Sequence, residues 1–342
     1  MAEWQGPGWL KAAAALLVTA GLAWLLASPW SEDSAAPVPE LSPLYVAQGV
    51  GPVQPLPRTL ELNADQVELG RRLFHDVRLS VDDTIACASC HAVDRYGVDG
   101  TPRSLGVRGQ KGEVNAPTVF NSGFNFRQFW DGRVATLEEQ VGGPVENPLE
   151  MASSWPQVLA KLELDTALQA LAVKAYGRRL DEAMVRSSIA VFERSLITPD
   201  APFDRFLRGE ATALDDRARI GWQRFRDLGC IACHQGVNLG GNMYATLGAM
   251  GDYFAGRPLD KADLGLYNQT GRESDRHKFK VPGLRNVAET APYFHDGRVA
   301  SLEEAVQIMA RLQLGLDLAP DDRVSLVAFL NSLTGKLQGS PP

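Results

Sequence analysis

Apolar residues recur at spacings of three and four along several segments of the chain, which is the pattern of amphipathic helices. Alternating patterns typical of strands are sparse, so the sequence predicts a mainly α protein with long loops. The helical pattern covers six segments: Ala64–Phe74, Trp155–Leu162, Leu180–Leu196, Ala213–Leu228, Leu302–Leu312 and Asp321–Leu333.

Two segments ahead of the first helix follow other patterns. Residues Ala12–Ala27 are nearly all apolar, and Lys11 precedes them. This run predicts a signal or membrane anchor over residues 1–30, and its poor cleavage site favours an uncleaved anchor. Residues 31–59 are rich in proline, which fixes φ and removes a backbone donor, so they predict an extended linker. With either a signal or an anchor, the rest of the chain is expected to be exported.

The body of the chain contains an internal repeat. The eleven residues Asp131–Val141 return as Asp296–Val306, with nine positions identical. Each copy contains a capping box, in which a hydroxyl and a Glu three residues later satisfy the first amides of a helix. The boxes pair Thr136 with Glu139 and Ser301 with Glu304. Each copy is therefore predicted to be a loop that becomes a helix at the same point.

The repeat predicts two homologous domains, at residues 60–200 and 201–342. Both domains carry a Cys-x-x-Cys-His motif upstream of the repeated loop. The second copy is longer by about 22 residues between the two features, and the glycine-rich stretch Leu239–Gly271 is the predicted insertion.

The two motifs are Cys87-Ala-Ser-Cys90-His91 and Cys230-Ile-Ala-Cys233-His234. This spacing is the attachment signature of c-type haem, because one helical turn holds both thiols at the porphyrin vinyl groups and the next residue supplies an axial imidazole. A redox dithiol or half a zinc site are the alternatives. Zinc would need four ligands per site, and the chain has only these four cysteines. Two covalent haems c are therefore predicted, and cytochrome c-like domains agree with the helical pattern.

Composition excludes one class of partner. The net charge is −7, without long runs of one sign, which argues against nucleic acid and is compatible with docking to a basic protein. The chain has five histidines and six methionines from which the remaining axial positions must be filled or left open. A Met opposite a His raises the iron potential, whereas an open position admits a small ligand.

Over roughly Leu60–Lys336 the chain resembles the bacterial dihaem cytochrome c peroxidases. The stretches that carry the resemblance are Leu73–Ser80, Asn115–Asn121, Gln128–Arg133, Gly143–Asn147, Phe279–Asn286, Thr290–His295 and Gln307–Met309. The resemblance implies a low-potential first haem that reacts with peroxide and a high-potential second haem that stores an electron. It also implies a periplasmic location, at the inner membrane if the anchor is retained.

The family's functional residues map onto this sequence by position. The resemblance implies that Met309 is the second axial ligand of the second haem and that Trp130 lies between the haems, where it helps electrons pass. It makes Glu150 the acid of the peroxide pocket and Gln140 a pocket amide. Moving a proton between the two peroxide oxygens requires such a carboxylate.

A structural Ca²⁺ between the domains is also implied by the resemblance. Its ligands would be the side-chain oxygen of Asn115 and the carbonyls of Thr290 and Pro292. Oxygen ligands suit this hard cation.

The chain departs from the family at one informative position. Many members have a His after a Ser-x-Gly, which caps the first iron in the oxidised enzyme. Here Val107 follows Ser104-Leu105-Gly106, so the first haem is expected to lack a sixth protein ligand. His75 is the rival ligand, whereas a surface or pocket position without a ligand role is the favoured one. His277 stands in a charged stretch and is expected to be exposed, and His295 is assigned no chemistry.

The predicted reaction is the reduction of hydrogen peroxide to water with electrons from a small periplasmic cytochrome c or cupredoxin. The resemblance also makes a homodimer possible, since members of the family are often dimers. One alternative is a relative that oxidises a protein substrate, as the tryptophylquinone-maturing dihaem enzymes do, although these have a Tyr in place of Met309. The other is a dihaem electron carrier without enzyme activity, which predicts that both haems have two protein ligands.

Overall fold

The computed structural model describes residues 52–337. The α-helices there are α1 (Ala64–Phe74), α2 (Cys87–Cys90), α3 (Leu137–Glu146), α4 (Trp155–Leu162), α5 (Thr166–Tyr176), α6 (Glu182–Ser195), α7 (Pro202–Leu207), α8 (Asp216–Asp227), α9 (Tyr267–Thr270), α10 (Leu302–Leu314) and α11 (Pro320–Asn331). Two short strands, β1 (Tyr244–Thr246) and β2 (Lys278–Lys280), pair antiparallel. The 3₁₀ helices are Val77–Leu79, Val93–Arg95, Val107–Gly109, Ser122–Phe124, Ala211–Ala213, Cys230–Ala232, Lys261–Leu264, Glu273–Asp275 and Val287–Glu289. The protein is mainly helical, as predicted.

Side-chain caps fix where several helices begin. Asn63 accepts hydrogen bonds from the amides of residues 65 and 66 at the start of α1. Thr136 and Glu139 form the predicted reciprocal capping box on α3. Ser301 accepts from the Glu304 amide at 3.2 Å on α10, whereas among the described residues of these two copies the carboxylate half of the box is present only in the first. The repeated sequence thus starts a helix at the same point in both halves.

Each half contains the same helix crossing. In the first half, a Cβ on Gly70 of α1 would overlap the Ser188 carbonyl oxygen of α6. In the second half, a Cβ on Gly221 of α8 would overlap the Ser325 carbonyl oxygen of α11. Both pairs of backbones therefore approach so closely that only glycine fits.

Aromatic rings pack beside each crossing. Phe74 and Phe192 lie 5.2 Å apart in the first half, and Phe225 and Phe329 lie 5.0 Å apart in the second. The two largest buried clusters divide accordingly, one within residues 69–196 and the other, apart from Val53, within residues 203–333. The boundary at residue 200 stays a prediction.

Replacing Gly70 or Gly221 with alanine is expected to lower the free energy of unfolding by about 1–3 kcal/mol, because the helix backbones must separate to admit the methyl group. Gly112→Ala is the control, since its Cβ would lie 3.4 Å from the nearest atom. Urea unfolding of the three variants checks this result. Equal stability of all three would contradict the close crossing.

Two asparagines and one threonine join the halves. Asn121 and Asn286 both have left-handed backbones, and each donates from its side-chain amide to the Thr198 hydroxyl, at 3.0 and 2.9 Å. Asn121 accepts from the Thr198 amide at 3.1 Å, and Asn286 accepts from the Gly335 amide at 3.0 Å. Asn121 from the first half and Asn286 from the second half therefore make equivalent hydrogen bonds to Thr198, which links the two halves.

Part of the segment that the sequence assigns to a linker packs against the body. Val53 and Leu56 are buried, and the Leu56 amide donates to the Asp204 carboxylate at 3.0 Å. The predicted anchor at residues 1–30 and most of the linker lie outside the described residues. Within residues 52–337, the structure contains no helix with the length and apolarity needed to cross a membrane.

Candidate functional site

The two Cys-x-x-Cys-His motifs present their histidines in the same way. The Nδ1 atom of His91 lies 3.2 Å from the Gly97 carbonyl oxygen, and that of His234 lies 3.2 Å from the Leu239 carbonyl oxygen. A bond from Nδ1 to a carbonyl fixes the ring and leaves Nε2 free to coordinate a metal. Burial lowers the pKa of both imidazoles, that of His234 to about 4, so both rings are neutral at physiological pH.

The cysteines have the chemistry of attachment points. All four are free of disulfide bonds. Burial raises the pKa of Cys230 to about 11 and also raises the pKa of Cys87. Redox dithiols instead have lowered thiol pKa values, because the thiolate is their reactive form. The alternative of a thioredoxin-like dithiol therefore disagrees with the structure.

A mostly apolar cavity opens beside the second motif. Its lining includes Cys230, Cys233, His234, Met309, Trp130 and His295. Two thiols, a neutral imidazole and a thioether around one apolar space fit a haem with His and Met axial ligands.

The repeat predicts how the site beside the first motif differs from the site beside the second. Met309 of α10 corresponds to Pro144 of α3, 165 positions earlier, and Ala305 corresponds to Gln140 by the same offset. The first site therefore has an amide where the second has a methyl group, and it has no thioether at the ligand position. An alignment of the α3 and α10 sequences is enough to show that Pro144 stands at the position of Met309.

Glu150 lies in a turn after α3, close to the loop that carries Val107. The Val107 amide donates to the Glu150 carbonyl oxygen at 2.8 Å, and Val107 is buried. The Asn147 side-chain amide donates to the Glu150 carboxylate at 2.7 Å. Burial raises the pKa of Glu150, and this hydrogen bond opposes the rise. Asn147 thus fixes the Glu150 side chain. Its spacing of three residues from Glu150 is the signal in the sequence that could have indicated this contact.

Trp130 connects the two halves. Its indole nitrogen donates to the Asn115 carbonyl oxygen at 2.9 Å, and its own carbonyl oxygen accepts from the Lys280 amide at 2.9 Å. It lines the second cavity, and its ring centroid is 6.4 Å from that of His295. The residue is thus held by both halves beside one cofactor cavity.

The insertion in the second half covers Trp130. Tyr253 and Phe254 form a buried cluster with Phe279, and Trp130 packs against it. The Tyr244 hydroxyl donates to the Gly132 carbonyl oxygen at 3.0 Å, which ties the insertion to the first half. The inserted segment therefore stabilises the junction between the halves.

The other histidines differ in their surroundings. His75 is exposed, and its Nδ1 lies 2.8 Å from the Arg71 carbonyl oxygen, which agrees with the favoured surface position. The expectation that His277 is exposed is wrong, because its half-buried ring stacks on Phe254 with 4.1 Å between centroids.

His295 belongs to a buried charge network. Its Nε2 lies 2.8 Å from a carboxylate oxygen of Asp263, and Asp296 is close enough to complete a group of three possible metal ligands. Arg257, however, makes bonds of 2.6 Å to both oxygens of Asp263 and lies 3.5 Å from Asp296. Arg257 therefore already neutralises these carboxylates. We interpret the cluster as a structural salt-bridge network rather than a metal site.

Lys280 is a site residue that the sequence analysis missed. It is buried and lines the second cavity. No described residue accepts a hydrogen bond from its amine. Burial lowers its pKa to about 8. An unpaired buried amine is costly, and a carboxylate in the cavity would relieve that cost. The signal in the sequence was its position beside Val281 and Pro282, within the stretch Phe279–Asn286 that carries the family resemblance.

The proposed calcium ligands lie along one interface. The Asn115 amide donates to the His295 carbonyl oxygen at 2.8 Å, three residues beyond Pro292. The Asn115 side-chain nitrogen donates to Thr101, which leaves its Oδ1 as the atom for a cation. Among residues 52–337, no backbone amide bonds the carbonyls of Thr290 and Pro292. Asn115 Oδ1 and these two carbonyl oxygens are therefore suitable ligands for a hard cation.

Known proteins share this architecture. A family model described as Di-haem cytochrome c peroxidase matches residues 64–212. The cytochrome c peroxidase Ccp of Escherichia coli is 50% identical over 285 residues, which cover 83% of this chain and 61% of that protein. The cytochrome c551 peroxidase of Nitrosomonas europaea is 40% identical over 302 residues, covering 86% and 89% of the two chains. The solved structure of a MauG-like protein associated with microbial copper homeostasis has a TM-score of 0.75 and 28% identity, covering 85% and 95%.

The helical fold, the paired sites and these relatives define a dihaem protein. More particularly, the chain belongs to the di-haem cytochrome c peroxidase family. It spans 61% of the length of the Escherichia coli relative.

Proposed function

We propose that this chain reduces hydrogen peroxide to two waters, with two electrons from a small periplasmic cytochrome c or cupredoxin. The observation that carries the proposal is the difference between the two sites. Met309 lines the second cavity, whereas Pro144 and Val107 stand where the first site would need a second ligand. One iron is then open to an oxidant, and the other is closed and passes electrons.

Both haems are proposed to be covalent haem c. Thioether bonds from Cys87 and Cys90 would hold the first, with His91 as its axial ligand. Cys230 and Cys233 would hold the second haem, with His234 and Met309 as the ligands of its iron. When bound, the first haem would supply the redox centre that receives peroxide. The buried neutral imidazoles and the high thiol pKa values support this assignment.

The protein's own groups would handle the protons. Glu150 takes the proton from the peroxide oxygen nearer the first iron and returns it to the departing oxygen. Asn147 holds the carboxylate for this transfer through its hydrogen bond of 2.7 Å. Gln140 orients the bound peroxide, in the position that Ala305 occupies in the second half. The overall reaction takes up two electrons and two protons.

Trp130 is proposed to assist electron passage between the haems. Its contacts with Asn115 and with the Lys280 backbone fix the ring at the junction. Donor protein would deliver electrons to the second haem, and Met309 raises the potential of that haem as a store. Calcium at Asn115, Thr290 and Pro292 would keep the junction rigid. We also propose that the protein is located in the periplasm, with or without a retained anchor, and that it forms a homodimer.

The proposal is tested with the haem-loaded protein and a reduced small cytochrome c or cupredoxin. Addition of peroxide is expected to oxidise two donor molecules for each peroxide consumed. The ferric protein is also expected to bind cyanide at one haem only. Failure to bind cyanide would support a pure electron carrier, while a long-lived oxidised state without donor would support oxidation of a protein substrate.

Lys280 is proposed to pair with a propionate of the second haem. Lys280→Met is expected to lower the midpoint potential of that haem, because a nearby cation disfavours the more positive oxidised iron. Potentiometric titration with optical detection checks this, with Lys278→Met on the same strand as the control; Lys278 instead bonds Asp275 at 3.1 Å. An unchanged second-haem potential in Lys280→Met would contradict the pairing.

A further inference from the structure

Glu193 is a buried acid for which the peroxidase reaction has no assigned role. It lies on α6 with 4% of its surface exposed. No described residue donates a hydrogen bond to its carboxyl group. Its charge is one of the causes that raise the pKa of the nearby Cys87 thiol. A carboxyl group without protein partners, beside a haem attachment point, is costly to keep unless it has a function.

The repeat indicates that Glu193 lies beside the space in which the first motif would hold its haem. The segment Val191–Leu196 corresponds to Ala328–Leu333, and the Phe192–Phe74 ring contact has its counterpart at Phe329. The next residue in the second half is Leu330, which lines the cavity beside the second motif. The first site therefore has a carboxyl group where the second has a hydrocarbon.

We propose that Glu193 is the proton acceptor of the first haem site, gaining a proton when that iron is reduced. The inference rests on the proposed function, since it requires haem at Cys87, Cys90 and His91. With haem bound, one electron from the donor protein, passed through the second haem, would reduce the first iron. One proton from solvent converts the Glu193 carboxylate to the neutral acid.

The coupling follows from charge in a poorly screened interior. A carboxylate near the iron stabilises its more positive oxidised form, and an added electron strengthens the attraction of the carboxylate for a proton. The two steps therefore assist each other, so each reduction is accompanied by proton uptake. Leu330 provides no such group, and the second haem would pass electrons without this proton.

The surrounding charges leave Glu193 able to titrate near neutrality. Burial raises its pKa to about 8, Glu138 of α3 adds to the rise, and Arg194 opposes it. Arg194 is engaged by Glu138 at 2.7 Å and so is not a dedicated partner. Glu150 is the other acid whose charge acts on Cys87, and it is unchanged in every variant tested below. Cys87 itself cannot titrate once attached to haem. From α1, the ring of the C-cap residue His75 lies 6.2 Å from that of Phe192.

The test is a spectroelectrochemical titration of the haem-loaded protein from neutral to mildly alkaline pH. In the wild type, the first-haem potential is expected to fall as pH rises. Glu193→Gln, which mimics the neutral acid, and Glu193→Leu, which copies the second half, are both expected to lose this dependence. The second haem should titrate identically in all three proteins. Glu182→Gln is the control, because Glu182 lies in the first turn of α6 with 42% of its side chain exposed and pairs with Arg186.

The reciprocal variant is Leu330→Glu, which is expected to make the second-haem potential depend on pH. If Glu193→Leu or Leu330→Glu fails to fold, the near-isosteric Glu193→Gln still decides the matter. A wild-type pH dependence that persists in Glu193→Gln, or its absence from the wild type, overturns the proposal. Peroxidase activity does not enter the measurement, so loss of the proposed reaction and loss of this coupling are distinguishable.

Discussion

Glu150→Gln is expected to lower kcat/KM for hydrogen peroxide by about 10²–10⁴-fold, the range contributed by a positioned proton-transfer group. Glutamine keeps the shape of the side chain and its contact with Asn147, but it cannot accept the peroxide proton. Binding of cyanide to the ferric first haem should change little, because the open axial position remains. Stopped-flow mixing of the half-reduced protein with peroxide measures the rate directly.

The pH profile gives a second measure of the same residue. Glu150 must be ionised to act as a base, so the wild-type rate falls as pH drops through its pKa. Burial raises that pKa, and the acid limb therefore lies at higher pH than for an exposed glutamate. Glu113→Gln is the matched control, because Glu113 is an exposed carboxylate whose charge acts on Glu150. An acid limb that survives in Glu150→Gln would exclude Glu150 as the base.

Local sequence signals located most of the long helices. The apolar spacing gave α1 and α4 their observed ends, and α6, α8, α10 and α11 differ from the predicted segments by a few residues. Among the described helices that begin before residue 210, α5 and α7 were predicted neither from apolar spacing nor from a motif. α5 is apolar around most of its circumference, with Ala167, Leu168 and Val173 on different sides, so it lacks a clear stripe. α7 is a short helix that begins with Pro202, and six residues are too few to show a period.

The candidate site divides in the same way between local and distant information. The haem motifs and the loop–helix repeat are contiguous, so the sequence located His91, His234 and the helix carrying Met309. His277 was placed wrongly because its neighbours are charged, while the contact that half-buries it comes from Phe254 in the insertion. Such contacts between distant segments leave no periodic signal.

Glu193 and Lys280 could be identified only from their burial in the structure. Each is a charged residue in an otherwise ordinary segment, and neither is distinguishable in the sequence from a solvated side chain. Burial identifies both of them, and the matched helices α6 and α11 then show that Glu193 replaces a leucine. The duplicated fold thus supplies an internal reference against which functional differences between the halves can be located.

Val107→His is expected to close the first haem in the oxidised protein. The family resemblance implies that a His at this position caps the iron. In this structure Val107 is buried, and its amide donates to the Glu150 carbonyl oxygen. If the imidazole occupies the iron in about 99% of molecules, the apparent affinity for cyanide falls about 100-fold, because only the uncapped fraction binds. Prior reduction of the second haem should then be needed for reaction with peroxide.

The control for this variant is Leu105→His, two residues earlier in the same loop, where the side chain is 60% exposed. It adds the same imidazole to the loop but keeps it in solvent, so cyanide binding and the ferric spectrum should match the wild type. In Val107→His the ferric spectrum should instead show both haems with two axial protein ligands. Wild-type cyanide affinity in Val107→His would mean that this loop does not reach the iron, and the open position of the first haem would then need a different cause.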